Sequence, residues 1–331
     1  MSNIYTIYGG EMSPYSVKVR SYFRYKQVPH QWVVRSMENE EEYKKVARIP
    51  IIPAVKTPEG EGWQDSTPIM EKLDALAPAP STHPDDPALA FLSVLIEEWG
   101  DEWGNKIMFH HRWWDEADKQ ASARVIALGM APSVDLEATA NIQKMIADRM
   151  GGRGDFVGSS AATAPLIEQY LHDLLALLDA HLEGRKYLFG DRPSFGDFGL
   201  YAQVYEMIVD PTAGGIIRGR TKNILDWCFR MTDPRNDGDF ESWESLQPTL
   251  EPIIENIGAY FLPWSVANAA AFAAGEESFT VSLNGKGYTQ PPQKYHMKSL
   301  EVLRGKYEAV ADKSALDPIL DRTGCLSALK G

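Results

Sequence analysis

The chain has almost no cysteine: 331 residues carry two, Cys228 and Cys325, and none lies in the first 227. A disulfide framework and an N-terminal dithiol redox centre are thereby excluded, and a reducing, cytoplasmic setting is expected. Histidine is also scarce, at seven. His110 and His111 are adjacent, but neighbours on a helix point about 100° apart, and no two histidines stand four residues apart, so no metal site is expected. Basic charge is in deficit, with 33 Lys+Arg against 46 Asp+Glu and a net charge of -13. Residues 1–80 hold ten of each sign, so the excess acid lies in the remainder. Phosphate binding needs clustered Lys and Arg, and an acidic body argues against nucleic acid or an anionic membrane as partner. No uninterrupted apolar run approaches about 18 residues, and the polar start leads straight into a strand-type run, so neither a spanning segment nor a targeting peptide is expected. The glycine-rich Gly151-Gly152-Arg153-Gly154-Asp155 follows no strand. It reads as a loop rather than a phosphate cradle.

What is present suits a protein of about two domains, with 44% hydrophobic residues for its cores. Ile4 to Tyr8 is β-type, and a helix follows: Ser13 is a good N-cap, Pro14 suits the first turn, and Tyr15, Val19, Tyr22 and Phe23 mark one face with Lys18, Arg20 and Arg24 between them. Further on stand Ile51-Ile52-Pro53-Ala54-Val55 and Gln64-Asp65-Ser66-Thr67-Pro68-Ile69; in the latter, Thr67-Pro68 also reads as a cap and first helical position. Prolines between Pro78 and Pro87 cannot continue a helix and read as a linker. From Ala88 to about Arg149 the pattern is helical, with Trp99, Trp103, Ile107, His110 and Trp114 along one face. Ser194 and Asp197 form a Ser-x-x-Asp capping box ahead of an apolar helix. Residues 236–331 add a broken helical region from Glu241 to Ala274, a hairpin turning at Asn284-Gly285, and an amphipathic helix from about Lys298.

Four of these elements, in this order and with a proline-rich break between two domains, resemble the glutathione transferase superfamily over residues 3–235. The resemblance implies an α/β thioredoxin-like N-terminal domain (1–78), a linker (79–87) and an all-α C-terminal domain (88–235). Residues 236–331 would be an extension of helices and a β-hairpin packed on the helical domain. Ser13 stands where related redox proteins keep the attacking Cys of Cys-x-x-Cys. It matches the thiol-activating Ser of serine-type classes, with Tyr8 and Tyr15 as alternative hydroxyls, and Ser13-Pro14 alone also reads as a simple cap. Pro53 would be cis, freeing the Ile52 backbone for the cysteinyl part of glutathione. Asp65 would pair with the ligand ammonium and Ser66 with its γ-glutamyl carboxylate. Ile49-Pro50 departs from the Asn-Pro and Lys or Gln that family members often carry before the cis proline. Trp103 and His110 read first as core, and alternatively as the border of a second-substrate pocket, with the extension covering or narrowing it. Ser194 and Asp197 have a structural role. The implied activity is conjugation of glutathione, the co-substrate, to an apolar electrophilic small molecule by a homodimer. The alternatives are a specialised glutathione-dependent lyase, etherase or dehalogenase, and a non-catalytic binding module.

Overall fold

Strand β1 (Tyr5–Gly9) leads through a short loop into α1 (Pro14–Tyr25), β2 (His30–Val34) and α2 (Glu40–Lys44). The chain in the computed structural model is described over residues 4–131 and 135–331. Two short strands, β3 (Ala54–Lys56) and β4 (Gly62–Gln64), complete a sheet of order β2-β1-β3-β4, parallel at β1/β2 and antiparallel elsewhere, before α3 (Ser66–Leu76). This is the expected thioredoxin-like domain. Its alternation is visible in β1: Ile7 enters the main core, whereas Tyr8 faces a small cluster with Tyr43, Val46 and Ala54. α3 begins at Ser66 with Asp65 at its cap position, so Thr67-Pro68 lies inside the first turn rather than at its edge.

The helical domain opens with α4 (Pro87–Trp99), a π-helical turn (Gly100–Gly104) and α5 (Asn105–Trp113). Asp86 caps α4 through the N–H groups of Ala88 and Leu89, so Pro87 is the first helical residue and not the last of the linker. α6 (Glu116–Met130), α7 (Leu136–Gly151), the single turn α8 (Gly154–Val157) and α9 (Ala164–His181) follow. The glycine cluster expected as a loop therefore ends one helix and begins another. α10 (Phe195–Val209) carries the capping box as expected, with Ser194 Oγ and the Asp197 carboxylate engaged reciprocally. It crosses α4 backbone to backbone: a Cβ on Gly199 would lie 2.6 Å from the Glu97 carbonyl. α11 (Pro211–Arg220) and α12 (Lys222–Met231) close this part.

The extension begins with α13 (Trp243–Asn256), a second π-helical turn (Ile257–Phe261) and α14 (Leu262–Ala274). Helical structure thus runs from Trp243 to Ala274 despite Pro248 and Pro252, long and apolar enough by itself to cross a membrane. The sequence pattern did not anticipate such a segment. Its Leu246, Leu250, Ile253, Ile257 and Trp264 are all buried in the protein core, which accounts for its apolar face. The hairpin β5 (Phe279–Leu283) and β6 (Lys286–Gln290) turns at Asn284 and Gly285, both with positive φ (48° and 77°), the signature of the expected turn. α15 (Lys294–Glu308) starts four residues earlier than expected and packs on α14 and α4, with α16 (Leu316–Arg322) and α17 (Leu326–Lys330) behind it.

Candidate active site

Ser13 caps α1 from extended backbone, and its Oγ accepts from the Ser16 N–H at 3.3 Å and the Ser16 hydroxyl at 2.9 Å. An oxygen with both acceptor directions in use keeps its own hydrogen for an outside acceptor. Facing it is the second expected element. The Ile52–Pro53 peptide is cis, and a Cβ on Gly10 would lie 3.1 Å from Ile52 Cδ1 and 3.9 Å from Ser13 Cβ. Among the described residues the Ile52 backbone makes no hydrogen bond. A half-buried hydroxyl at a helix N-terminus therefore stands beside an unpaired stretch of backbone.

The third element differs from its expected form. Asp65 has φ 73°, a left-handed conformation that is uncommon outside glycine and concentrates at functional sites. Burial pushes its carboxyl above the ordinary range, against the pull of Lys18. Ser66 is buried and already engaged: Lys18 Nζ donates to Ser66 Oγ at 3.3 Å and to Thr67 Oγ1 at 3.0 Å, and the same ammonium lies 2.5 Å from both Glu97 and Asp101. Lys18 thus ties the start of α3 to α4 and the π-helical turn. Burial opposes its charge, yet the two carboxylates prevail and hold its ammonium above the usual lysine range. Lys18 stands with Arg20 and Arg24 between the apolar positions of α1, yet its side chain is 0% exposed. The signal was present, since Lys18 stands three residues after Tyr15 and four before Tyr22, on the apolar side.

The alternative hydroxyls are differently occupied. Tyr8 packs edge-on against Tyr43 at 5.9 Å, and burial raises its phenol above the usual range. Tyr15 donates its hydroxyl to the Asp101 carbonyl at 3.0 Å, and burial, reinforced by Glu102 and Asp101, raises it well above that range. Trp103 is 0% exposed within Tyr170, Tyr260, Trp264 and Tyr288. Three of these four, Tyr260, Trp264 and Tyr288, belong to the extension, which thus covers the indole. His110 is also buried: Nδ1 pairs with Ser159 Oγ at 2.7 Å, and burial together with His111 lowers the imidazole to about 4. It lines a cavity of about 250 Å³ with His111, Glu168 and His172. None of the other expected site residues lines that cavity.

A different cavity, of about 280 Å³, adjoins the Ser13 loop. Its walls are Met12, Ala121, Ser122, Val125, Val209 and Pro211, with Glu11 and Tyr205 beside them. Arg112 lies behind Met12, donating to its carbonyl at 2.8 Å. Neither Met12 nor Arg112 is marked in the sequence, because nothing local distinguishes a buried arginine on a helix that also carries Lys106, His110 and His111. The N-terminus of α15 meets the other side of the site. There His296 pairs with Glu102 and Ser299 with Glu98, while Lys306, in the last turn of α15, bridges to Glu71 on α3 at 2.6 Å.

Two family models match the chain: glutathione S-transferase, N-terminal domain, over residues 12–76, and glutathione S-transferase, C-terminal domain, over 144–228. No curated protein matches it. Among solved structures it is similar to a glutathione S-transferase from Rhodospirillum rubrum (17% identity, 68% of this chain and 86% of that one, TM-score 0.44). It is also similar to the β-etherase LigF from Sphingobium sp. strain SYK-6 (17%, 69% and 94%, 0.48). A third is a glutathione S-transferase from Methylobacterium radiotolerans in complex with glutathione sulfonate (18%, 72% and 96%, 0.41). Residues 12–76 and 144–228 thus carry the two glutathione S-transferase domains in order, the first on the thioredoxin-like sheet and the second in the helical domain.

Proposed function

We propose that this protein is a glutathione transferase-like enzyme in which Ser13 donates a hydrogen bond to the thiolate of bound glutathione. The observation that carries this reading is the Ser13 hydroxyl, its oxygen occupied by Ser16 and its hydrogen uncommitted, beside the free backbone of Ile52. Tyr15 spends its hydrogen on Asp101, and Tyr8 lies in a separate cluster. Asp65 meets the ligand ammonium. The first amides of α3 receive the carboxylate, while the Ser66 hydroxyl, which donates to Asp101, and Lys18 stand behind them.

A free thiol of pKa about 8.5 is roughly 3% ionised at pH 7, and lowering it by about two units raises that to roughly 75%. Such a shift corresponds to about 2.7 kcal/mol, within reach of one hydrogen bond to a charged group plus the helix dipole. Nucleophilicity falls as the pKa falls, so orientation supplies the rest of the acceleration. The electrophile occupies the cavity beside Met12, whose Ala121, Val125, Val209 and Pro211 suit an apolar molecule. The superfamily's usual pairing extends to a cytoplasmic homodimer, which light scattering checks.

The test is calorimetry with glutathione, followed by ultraviolet titration of the bound thiol. Ser13→Ala should raise the thiol pKa by a unit or more with little loss of affinity, and Tyr8→Phe should leave it in place. The reverse pattern would replace the serine mechanism with a tyrosine one, and no heat at millimolar glutathione would remove the reading altogether.

A further inference from the structure

Arg112 is 2% exposed, and its guanidinium is committed in three directions. Nε donates to Asp210 at 2.9 Å, and Nη2 to the Glu206 carboxylate at 2.8 Å and its main-chain carbonyl at 2.9 Å. These contacts stay inside the helical domain. Nη1 instead crosses to the other domain and donates to the Met12 carbonyl at 2.8 Å.

That carbonyl belongs to the peptide unit whose other end is the Ser13 N–H, which turns back to the Gly10 carbonyl at 3.2 Å. A peptide unit is planar, so holding its oxygen holds the orientation of its nitrogen. The φ of Ser13, -113°, turns about the bond from that nitrogen and sets where Cβ, the atom that carries Oγ, stands. The anchor itself is stiff. Asp210 also accepts from Ser122 Oγ at 3.1 Å, and all three charged groups of the cluster are buried.

We propose that Arg112 is a positioning residue for Ser13, aiming its hydroxyl at the thiol by fixing the Met12 carbonyl from the helical domain. The proposal rests on the reading of Ser13 as the thiol's hydrogen-bond donor. A structural role alone would alter global stability. A positioning role alters the start of α1 selectively, together with the thiol it serves.

The experiment uses the full-length triple variant Arg112→Met, Glu206→Gln, Asp210→Asn, which removes the crossing bond without stranding a buried charge. Amide hydrogen exchange at Ser16 and Val17, whose N–H groups bond Ser13, should quicken about tenfold or more relative to Phe23. The pKa of bound glutathione should rise by about one pH unit, while the affinity for S-methylglutathione, which has no thiol to ionise, changes less than about threefold. Should the triple variant not fold, Arg112→Lys is read the same way, since it keeps the charge and loses the planar fork.

Unchanged exchange at Ser16 and Val17 in a folded variant overturns the proposal and makes Arg112 a domain clamp. It is equally overturned if Ser13→Ala moves the thiol pKa and the Arg112 variant does not. If exchange quickens while both Ser13→Ala and the Arg112 variant leave the thiol unmoved, the aiming of a catalytic hydroxyl is overturned together with the Ser13 reading, and only a mechanical tie remains.

Discussion

The ammonium of Lys18 sits 2.5 Å from the carboxylate of Asp101, joining the first helix of one domain to the π-helical turn of the other. The pair is buried, and Glu97 shares the cation at the same distance. Lys18→Met should therefore destabilise the protein by about 3–5 kcal/mol, because it strands buried carboxylates. Adding Glu97→Gln and Asp101→Asn should recover most of that loss. Urea denaturation reads both steps, and a single variant within about 1 kcal/mol of the parent would show that the cluster adapts by taking up protons.

Asp65 allows a clean test of ligand charge. Its φ of 73° is tolerated by asparagine better than by other non-glycine residues, so Asp65→Asn keeps the backbone and removes only the negative charge. Glutathione should bind on the order of 10- to 100-fold more weakly, the worth of a charge-assisted hydrogen bond. Equal affinity by calorimetry would place the ligand ammonium elsewhere.

Lys106 gives a pH signature. Its Nζ donates to Gln290 Oε1 at 3.0 Å and the Val157 carbonyl at 3.2 Å, and lies 4.3 Å from the Trp264 ring centre. Burial lowers its pKa from 10.5 to about 7, against the pull of Glu102. Between those values the unfolded chain holds a proton that the folded one has released. This residue's contribution therefore makes stability rise with pH across that window, by up to about 1.4 kcal/mol per pH unit, and below pH 7 the contribution is flat. Lys106→Met should remove that slope. Chemical denaturation at pH 7 to 10 in both proteins checks it, and parallel curves would mean that the amine stays charged when folded.

Tyr288 fastens the hairpin to the helical domain. It is fully buried against Trp103, and its hydroxyl donates to the Val157 carbonyl at 3.0 Å. Tyr288→Phe should cost about 1 kcal/mol for the lost bond, and Tyr288→Ala about 3–5 kcal/mol for the cavity. An alanine variant as stable as the parent in denaturant would show that the hairpin rests on the surface without supporting it.

The features legible in sequence are those with local causes. Ser13-Pro14, the Ser194 to Asp197 box and Asn284-Gly285 each specify a cap or turn from within a few residues, and each forms as read. Ile52-Pro53 was legible only through resemblance. Long-range pairing was not legible: Lys18 meets acids far along the chain, and Arg112 reaches Met12 across two domains. Periodicity showed which way Trp103 faces but not what would cover it, and no local signal marked the wider, π-helical turn that carries Trp103 between α4 and α5.

That covering has a consequence for how the protein is made. A nascent chain that has delivered both family modules ends near residue 228. Trp103 then still lacks three of its aromatic neighbours, Tyr260, Trp264 and Tyr288, all of which leave the ribosome later. Until they arrive, a large indole surface remains wet in an otherwise assembled helical body. Completion of the domain is thus timed by the translation of its final third, and the interval before it is when the newborn chain is most exposed to wrong partners.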